Sequence, residues 1–454
     1  MNNYFEVISP HNDQTFLTFT HCDKTLIQNK IDILEAEKNK ITKTNKTLQY
    51  LEVLSEKIKN NSDKLAKTIT AEIGKTSKDA QVEIARAITT IQAIKDARAA
   101  LSGDLLEGQN YIPGDDKLGL VSYAPLGIVL AITPFNFPIN LALHKIVPAL
   151  AMGNKVLFKP HPQCYKSSKI LVELFYNSGF CETDIQMICP SNDLMSYVVS
   201  HPSINCVSFT GGEIAAQAVS SAAILKKQLY ELGGNDALAV YPNSNYSKAV
   251  SSIINQRFGC SGQRCTASKR VYIHDECYEN VKDLLVKETK KLVMGDPSKP
   301  ETFIGPVVSK NAAKEIENRI NQTINLGADL ICGGKRVGAF VEPTIIENVS
   351  SASPLIQNET FGPVVPLFKF NSTDDLIFKV NSTNYGLQCG VFTDDINTAK
   401  KLFNEINVGS LVINEGPGYR ADHFPFGGSK ASGIGREGAK YALLEFSQTK
   451  TLII

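Results

Sequence analysis

Between Leu126 and Gly234 short β-prone runs, LGIVLAITP, KVLFK, DIQMIC, CVSFT and LYEL, alternate with helical stretches, HKIVPALAMG, YKSSKILVELFYNS, LMSYVVS and EIAAQAVSSAAILKK. Parallel neighbours cannot be joined by a tight turn. Strands separated by helices of this length therefore predict a parallel sheet with crossover helices on both faces, the doubly wound α/β plan. A second series after Gly234, with RVYIHD, VKDLLVKETKKLV, NAAKEIENRINQTINLG, DLIFKVNST and TAKKLFNEIN, predicts another α/β unit. Ahead of both, from Asp23 to about Ala100, apolar residues recur three and four apart, as in LQYLEVLSEKIKN, which predicts amphipathic helices. SGDLLEGQNYIPGDDKLGLVSY, broken by Gly and Pro-Gly, predicts strands with a protruding hairpin. The tail YALLEFSQTKTLII ends in a β-prone segment; an exposed edge there would be a liability, so it is expected to pair with another chain.

A chain of 454 residues, 43% of them hydrophobic, has material for more than one core. Lys and Arg number 47 against 46 Asp and Glu, without long like-charge runs, so neither nucleic acid nor an anionic membrane finds a footprint. The expected partner is a small solute. The longest apolar stretch, LGIVLAITPFNFPINLALHKIVPALAMG, is interrupted by Asn136, Asn140, His144, Lys145 and three prolines, unlike a bilayer span. The start MNNYFEVISPHNDQTF has no basic segment followed by an apolar one, and a cytoplasmic location is expected. The ten cysteines form neither a CxxC pair nor a Cys/His cluster, which predicts free thiols and no metal.

RFGCSGQRCTASKR sets Cys265 between small-residue turns, with Gly262, Arg264 and Lys269 beside it. A reactive thiolate needs access and nearby positive potential, and both are expected here. No histidine is close in sequence, so a proton acceptor must come from elsewhere. Glu231 in LYELGGND, at the end of an apolar strand and followed by two glycines, is expected to be partly desolvated, with a raised pKa suited to a general base. Asn136 in TPFNFP can donate to a developing oxyanion together with a backbone N–H. Taken singly, each has a plainer reading: a packed thiol, a solvated carboxylate, an Asx turn. SGIGREG fits GxGxxG through Gly433, Gly435 and Gly438, but the chain ends before the βαβ unit that this fingerprint must open. FTGGEIAA, a strand entering a Gly-Gly turn and a helix N-terminus, is the better phosphate loop.

In order, TPFNFP, FKP, FTGG, ELGG, GQRC, ETFGP and PFGGSKASGIGREG resemble the aldehyde dehydrogenase superfamily over nearly the whole chain. The likeness is greatest to the branch of lactaldehyde, phosphonoacetaldehyde and non-phosphorylating glyceraldehyde-3-phosphate dehydrogenases. The resemblance implies a Rossmann-like dinucleotide-binding domain of residues 1–102 and 126–233 and a second α/β, catalytic domain of residues 234–433. A β-hairpin and C-terminal strand, residues 103–125 and 434–454, would form an oligomerisation flap that builds a homodimer or homotetramer. It further implies NAD(P)-dependent oxidation of a small aldehyde to the free acid through a thiohemiacetal and a thioester on Cys265. Asn136 and the Cys265 N–H would form the oxyanion hole, and Glu231, which coenzyme A-acylating branches generally lack, would activate the deacylating water.

For the cofactor, NAD or NADP, the same resemblance implies Lys159 on the adenosine ribose, Gly211 and Gly212 at the pyrophosphate, and Glu359 and Phe361 at the nicotinamide side. Ile132, Thr133, Pro134 and Thr210 would complete that site. Pro162 stands where NAD-preferring members often place a glutamate, so the choice of dinucleotide stays open. Arg264, Arg86 and Arg420, with Phe137, would hold the far end of an anionic or hydroxylated aldehyde, because guanidinium forks match phosphonate, phosphate or carboxylate. Arg86 and Arg420 could equally be structural. Cys260 replaces an asparagine frequent in the family and could make the site redox-sensitive or merely pack. A succinate-semialdehyde-type dehydrogenase is the enzymatic alternative. A non-redox thiol esterase or structural protein on the same fold is the alternative of another class.

Overall fold

The computed structural model describes residues 4–40, 43–110, 112, 114 and 116–454. A hairpin of Tyr4–Ile8 and Thr15–Thr20 leads into the helices Lys24–Ala36, Thr44–Asn60, Ser62–Ile73 and Ser77–Ala100. Asp23 starts the first helix by accepting from Leu26 N at 2.8 Å, and Thr76 starts the last by accepting from Asp79 N at 3.1 Å. Each cap satisfies an amide that the helix leaves without a partner.

The alternating segment forms a six-stranded sheet in the order Gly433–Ile434, Lys227–Glu231, Ile204–Thr210, Ile128–Ile132, Lys155–Lys159, Ile185–Met187. Five strands are parallel, and Gly433–Ile434 is antiparallel to its neighbour. Every residue of Ile128–Ile132 and Lys155–Lys159 is buried. Side chains alternate between faces: Val129 and Ala131 join the core under the helices Ser77–Ala100 and Asn140–Ala151, while Ile128, Leu130 and Ile132 join one with Ile27, Ile31 and Leu34. From the central strand Ile128–Ile132 the chain builds outward to Ile185–Met187, then crosses back to Ile204–Thr210. The reversal leaves a crevice at the carboxyl ends of the two adjoining strands, the place where open α/β sheets take ligands.

The second series forms a seven-stranded sheet in the order Asp329–Cys332, Thr344–Glu347, Val364–Phe370, Arg270–His274, Ala237–Val240, Gln388–Phe392, Ser410–Ile413. It is parallel apart from its first pair. Glu231 ends a strand of the first sheet only a short connection before Ala237–Val240 begins at the centre of the second. The junction between the two α/β units therefore runs past Glu231.

A third sheet joins Leu105–Glu107, Leu118–Pro125 and Ser447–Ile453. The tail strand, expected to seek another chain, pairs along its length with Gly119–Pro125 of its own chain. Not all of 434–454 belongs there: Gly433–Ile434 pairs with Tyr230 and Glu231, and the helix Ala439–Glu445 packs on the first unit through Ala439, Ala442 and Leu443. Its apolar face has a nearer surface to cover than the flap. Residues 111, 113 and 115 of the expected hairpin tip lie outside the described residues. No helix among the described residues is long and apolar enough to cross a membrane.

Candidate active site

Cys265 lies in the connection between the helix Tyr246–Arg257 and the strand Arg270–His274. Cys260, Ser261 and Gly262 take φ of 52°, 56° and 74° in succession, a left-handed turn that only Gly262 adopts without strain. A side chain at Gly262 would also collide with the Gly362 carbonyl, at 2.2 Å from the Cβ position. The turn is held from outside. Cys260 N donates to Asp79 Oδ2 at 3.0 Å, Ser261 Oγ to Gly305 O at 2.8 Å, and Val308 N to Gln263 Oε1 at 2.8 Å. Asn136 is buried and donates from Nδ2 to Gln263 O at 2.9 Å. That bond ties TPFNFP to the Cys265 loop and leaves the second N–H of the amide for another acceptor.

The electrostatics of Cys265 differ from the expectation. The thiol is half-buried, and burial pushes its pKa up to about 12; Lys269 opposes this, while Glu359, Asp236 and Glu231 add to it. The neighbouring cations are engaged elsewhere. Arg264 reaches Cys260 Sγ at 3.3 Å and Asp79 at 3.7 Å, and Lys269 pairs with Glu359 at 2.9 Å while also donating to the Cys265 carbonyl. Cys265 therefore rests as a neutral thiol, and a base would be needed for it to attack a carbonyl. Alkylation by iodoacetamide without cofactor is expected to be slow at pH 7 and to rise about tenfold per pH unit up to pH 9. The tryptic peptide CTASK carries Cys265 alone, so mass spectrometry reads this directly; a plateau below pH 8 would contradict the neutral thiol.

Glu231 is buried, and its Oε2 has no hydrogen-bond partner among the described residues. Burial, reinforced by nearby Glu437, holds its carboxyl well above the usual range against the pull of Lys145, Arg420 and Arg436. It does not line the cavity that holds Cys265; it faces a small closed pocket with Lys145, Arg436 and Glu437. Lys145 pairs with Glu437 at 3.1 Å, Arg420 pairs with it at 2.9 Å, and these cations keep Glu437 well below the usual carboxylate range. Sequence reasoning passed over Lys145, Glu437 and His144. A signal existed for Lys145, a lysine amid the apolar run of a helix that is buried along almost its whole length.

Arg86, Arg264, Arg420 and Phe137 are brought together with Cys265 on the wall of a cavity of about 220 Å³. Arg86 donates to the Arg420 carbonyl at 2.8 Å and pairs with Asp422 at 3.2 Å. Lys75 sits 3.8 Å from the Phe137 ring centroid on one side and Arg264 5.9 Å from it, so the ring braces two cations. Nε of Arg264 and Nε of Arg420 are buried without a partner among the described residues. Buried donors ordinarily find acceptors, so these two are a local cost of packing the guanidinium groups here, and the cavity meets Arg264 and Arg420 through their other atoms. Cys260, a redox candidate by sequence, is buried with its thiol against Arg264.

A second cavity, about 720 Å³, opens at the sheet reversal and is lined by Ile132, Lys159, Phe209, Gly212 and Glu359 among others. A Cβ at Gly212 would meet nothing within 4 Å, and Gly212 precedes the helix Glu213–Ala222. An anion can thus approach bare amides at a helix N-terminus, as a pyrophosphate requires. The cavity's size, its buried Lys159 and its carboxylate at Glu359 fit a dinucleotide. Thr133, Pro134, Thr210, Gly211 and Phe361 are not among its lining residues. Asn192, Met195, Arg319 and Tyr385 line it instead without having been singled out. Arg319 carries no local signal, since it reads as one more charge on the polar face of NAAKEIENRINQT.

The family model described as the aldehyde dehydrogenase family matches residues 1–452. The chain is 44% identical over 456 residues, covering 100% of both chains, to a sulfoacetaldehyde dehydrogenase of Neptuniibacter caesariensis. It is 35% identical over 462 residues, covering 99% of this chain and 97% of the relative, to a lactaldehyde dehydrogenase of Methanococcus maripaludis. Among solved structures, the glyceraldehyde-3-phosphate dehydrogenase GapN of Methanocaldococcus jannaschii complexed with NADP superposes with a TM-score of 0.94 at 32% identity, covering 100% of each chain.

Proposed function

Because the chain belongs to the aldehyde dehydrogenase family, we propose that it oxidises a short anionic aldehyde to the free acid with NAD or NADP, using Cys265 as the nucleophile. One observation carries the substrate half of this reading: Cys265 shares a cavity wall with three guanidinium groups. Relatives named for sulfoacetaldehyde, 3-sulfolactaldehyde and lactaldehyde support it, and the NADP complex of the structural neighbour supports the cofactor half.

The order of events follows from the groups present. The aldehyde enters with its charged end toward Arg86, Arg264 and Arg420 and its carbonyl toward Cys265. The thiol proton leaves to a base as sulfur bonds to the carbonyl carbon, and the oxyanion takes the free N–H of Asn136 with the Cys265 amide. Nicotinamide, when held on the Glu359 side of the larger cavity, would supply the hydride acceptor for the former carbonyl carbon, and Cys265 would then carry the acyl group as a thioester. Water then adds to the thioester and gives its proton to the ionised form of Glu231, which must turn from its own pocket toward Cys265 for this step, and collapse expels the Cys265 sulfur and the acid. Lys159, Gly212 and Glu359 would hold the dinucleotide in the larger cavity. The flap, with its strand Ser447–Ile453 at a sheet edge, is the part available to join subunits into a dimer or tetramer.

Arg264→Gln tests the anion site. It is expected to lower kcat/KM for sulfoacetaldehyde about 10- to 100-fold, the range for losing a charge-assisted hydrogen bond, while changing that for propanal less than threefold. Equal losses on both aldehydes would make Arg264 structural.

A further inference from the structure

We infer that the cavity is charge-matched to a monoanionic head group, a sulfonate or carboxylate, and discriminates against a dianionic phosphonate or phosphate; this rests on the anionic-aldehyde reading above. The three arginines alone would suggest a strongly cationic site suited to a dianion. Each, however, comes with a carboxylate. Arg86 pairs with Asp422 at 3.2 Å, Arg264 lies 3.7 Å from Asp79, and Arg420 pairs with Glu437 at 2.9 Å. Two lysines enter the same network: Lys75 pairs with Glu83 at 2.6 Å, and Lys145 shares Glu437 at 3.1 Å. Five cations thus meet four carboxylates, and one positive charge is left without a counterion.

The remaining titratable groups nearby do not change the balance. Burial and Arg420 push His144 well below its ordinary range, so it is neutral, and Glu231 is held toward its protonated form. Lys269 and Glu359, toward the cofactor side, cancel each other at 2.9 Å. Asp236, pushed up to about 7 by burial, has Arg270 beside it, which offsets whatever charge it carries. Arg436 donates to the carbonyls of Gly428 and Gly435, is partly exposed, and makes no ion pair with this network among the described residues.

The geometry agrees with the charge. Arg86, Arg264 and Arg420 line one cavity of about 220 Å³ with Cys265, room for a single small head group beside the thiol. A monoanion neutralises the surplus charge. A dianion leaves one negative charge unbalanced in a partly buried site, and an uncompensated charge of that kind is what specificity against a near-isostere commonly uses.

The test compares kcat/KM for sulfoacetaldehyde and phosphonoacetaldehyde, which match in chain length and tetrahedral head but differ in charge, with succinate semialdehyde as the carboxylate arm and propanal as the neutral one. At pH 8 sulfoacetaldehyde is expected to exceed phosphonoacetaldehyde at least tenfold. Near pH 6, where more of the phosphonate carries its second proton, that ratio is expected to fall at least threefold. Asp422→Asn, which adds one positive charge, should also lower the pH 8 ratio at least threefold. The higher of the sulfonate and carboxylate values identifies which monoanion the site takes. Phosphonoacetaldehyde equalling or exceeding sulfoacetaldehyde at pH 8, or a folded Asp422→Asn protein with an unaltered ratio, would overturn the monoanion inference alone. Propanal exceeding every anionic aldehyde would instead remove the anionic-aldehyde reading on which it stands.

Discussion

Cys265→Ser is expected to reduce kcat/KM for aldehyde oxidation by about 10⁴-fold or more, the scale of loss when a covalent nucleophile is removed from a preorganised site. The serine hydroxyl is far less acidic than even the thiol of Cys265, which burial already pushes up to about 12, so the available base cannot generate a useful nucleophile. The substitution is nearly isosteric, and the turn's support comes from Asp79, Gly305, Val308 and Asn136, none of which bonds the sulfur. Folding is therefore expected to survive, as circular dichroism and an unshifted melting temperature would show. Dinucleotide binding, measured by quenching or calorimetry, should change little because the larger cavity does not include Cys265. A folded variant that retains more than a tenth of the activity would end the nucleophile assignment. The same assay addresses the non-redox alternative: ester turnover by the wild type without aldehyde-dependent nicotinamide reduction would favour a thiol esterase.

Glu231→Gln is expected to slow steady-state turnover by about 10²- to 10³-fold, within the range for removing a general base. Its diagnostic is kinetic. Rapid mixing should still give a burst of reduced nicotinamide approaching one per active site, because the loss falls chiefly on hydrolysis of the Cys265 thioester. The pH profile supplies the second reading. A carboxyl whose pKa is raised acts as a base only above that pKa, so the wild-type deacylation rate should climb with pH through the ionisation of Glu231 and the variant should lose that limb. Loss of the burst together with steady-state turnover would move Glu231 from hydrolysis to activation of Cys265. The neutral thiol makes that a real alternative outcome, since its proton also needs an acceptor.

Much of the site was legible because its residues sit in short motifs whose local conformation is dictated nearby. GQRC needs its glycine for a left-handed turn, LYEL ends a buried strand at Glu231, and FTGG stops a strand at a helix N-terminus. The alternation of strands and helices likewise fixed the two parallel sheets, since parallel strands demand long crossovers. Arg86, Arg264 and Arg420 were legible as candidates, but their common cavity was not. They come from a helix of the first hundred residues, from the Cys265 loop and from a loop near the end of the chain.

What the sequence by itself determined is therefore the order of elements, the doubly wound plan and the identity of Cys265, Glu231 and Asn136 as candidates. Each follows from periodicity, turn chemistry or a contiguous motif, and is specified over a few residues. Tertiary structure alone decided the electrostatics. Arg264 and Lys269 stand next to Cys265 in the chain, yet their charges are directed to Asp79, Cys260 and Glu359, and the thiol stays neutral. Lys145 and Glu437, far apart in the chain, meet at 3.1 Å and shape the environment of Glu231. A charge acts through space and in proportion to its desolvation, so its effect depends on which distant segments fold around it, and no window of sequence contains that information.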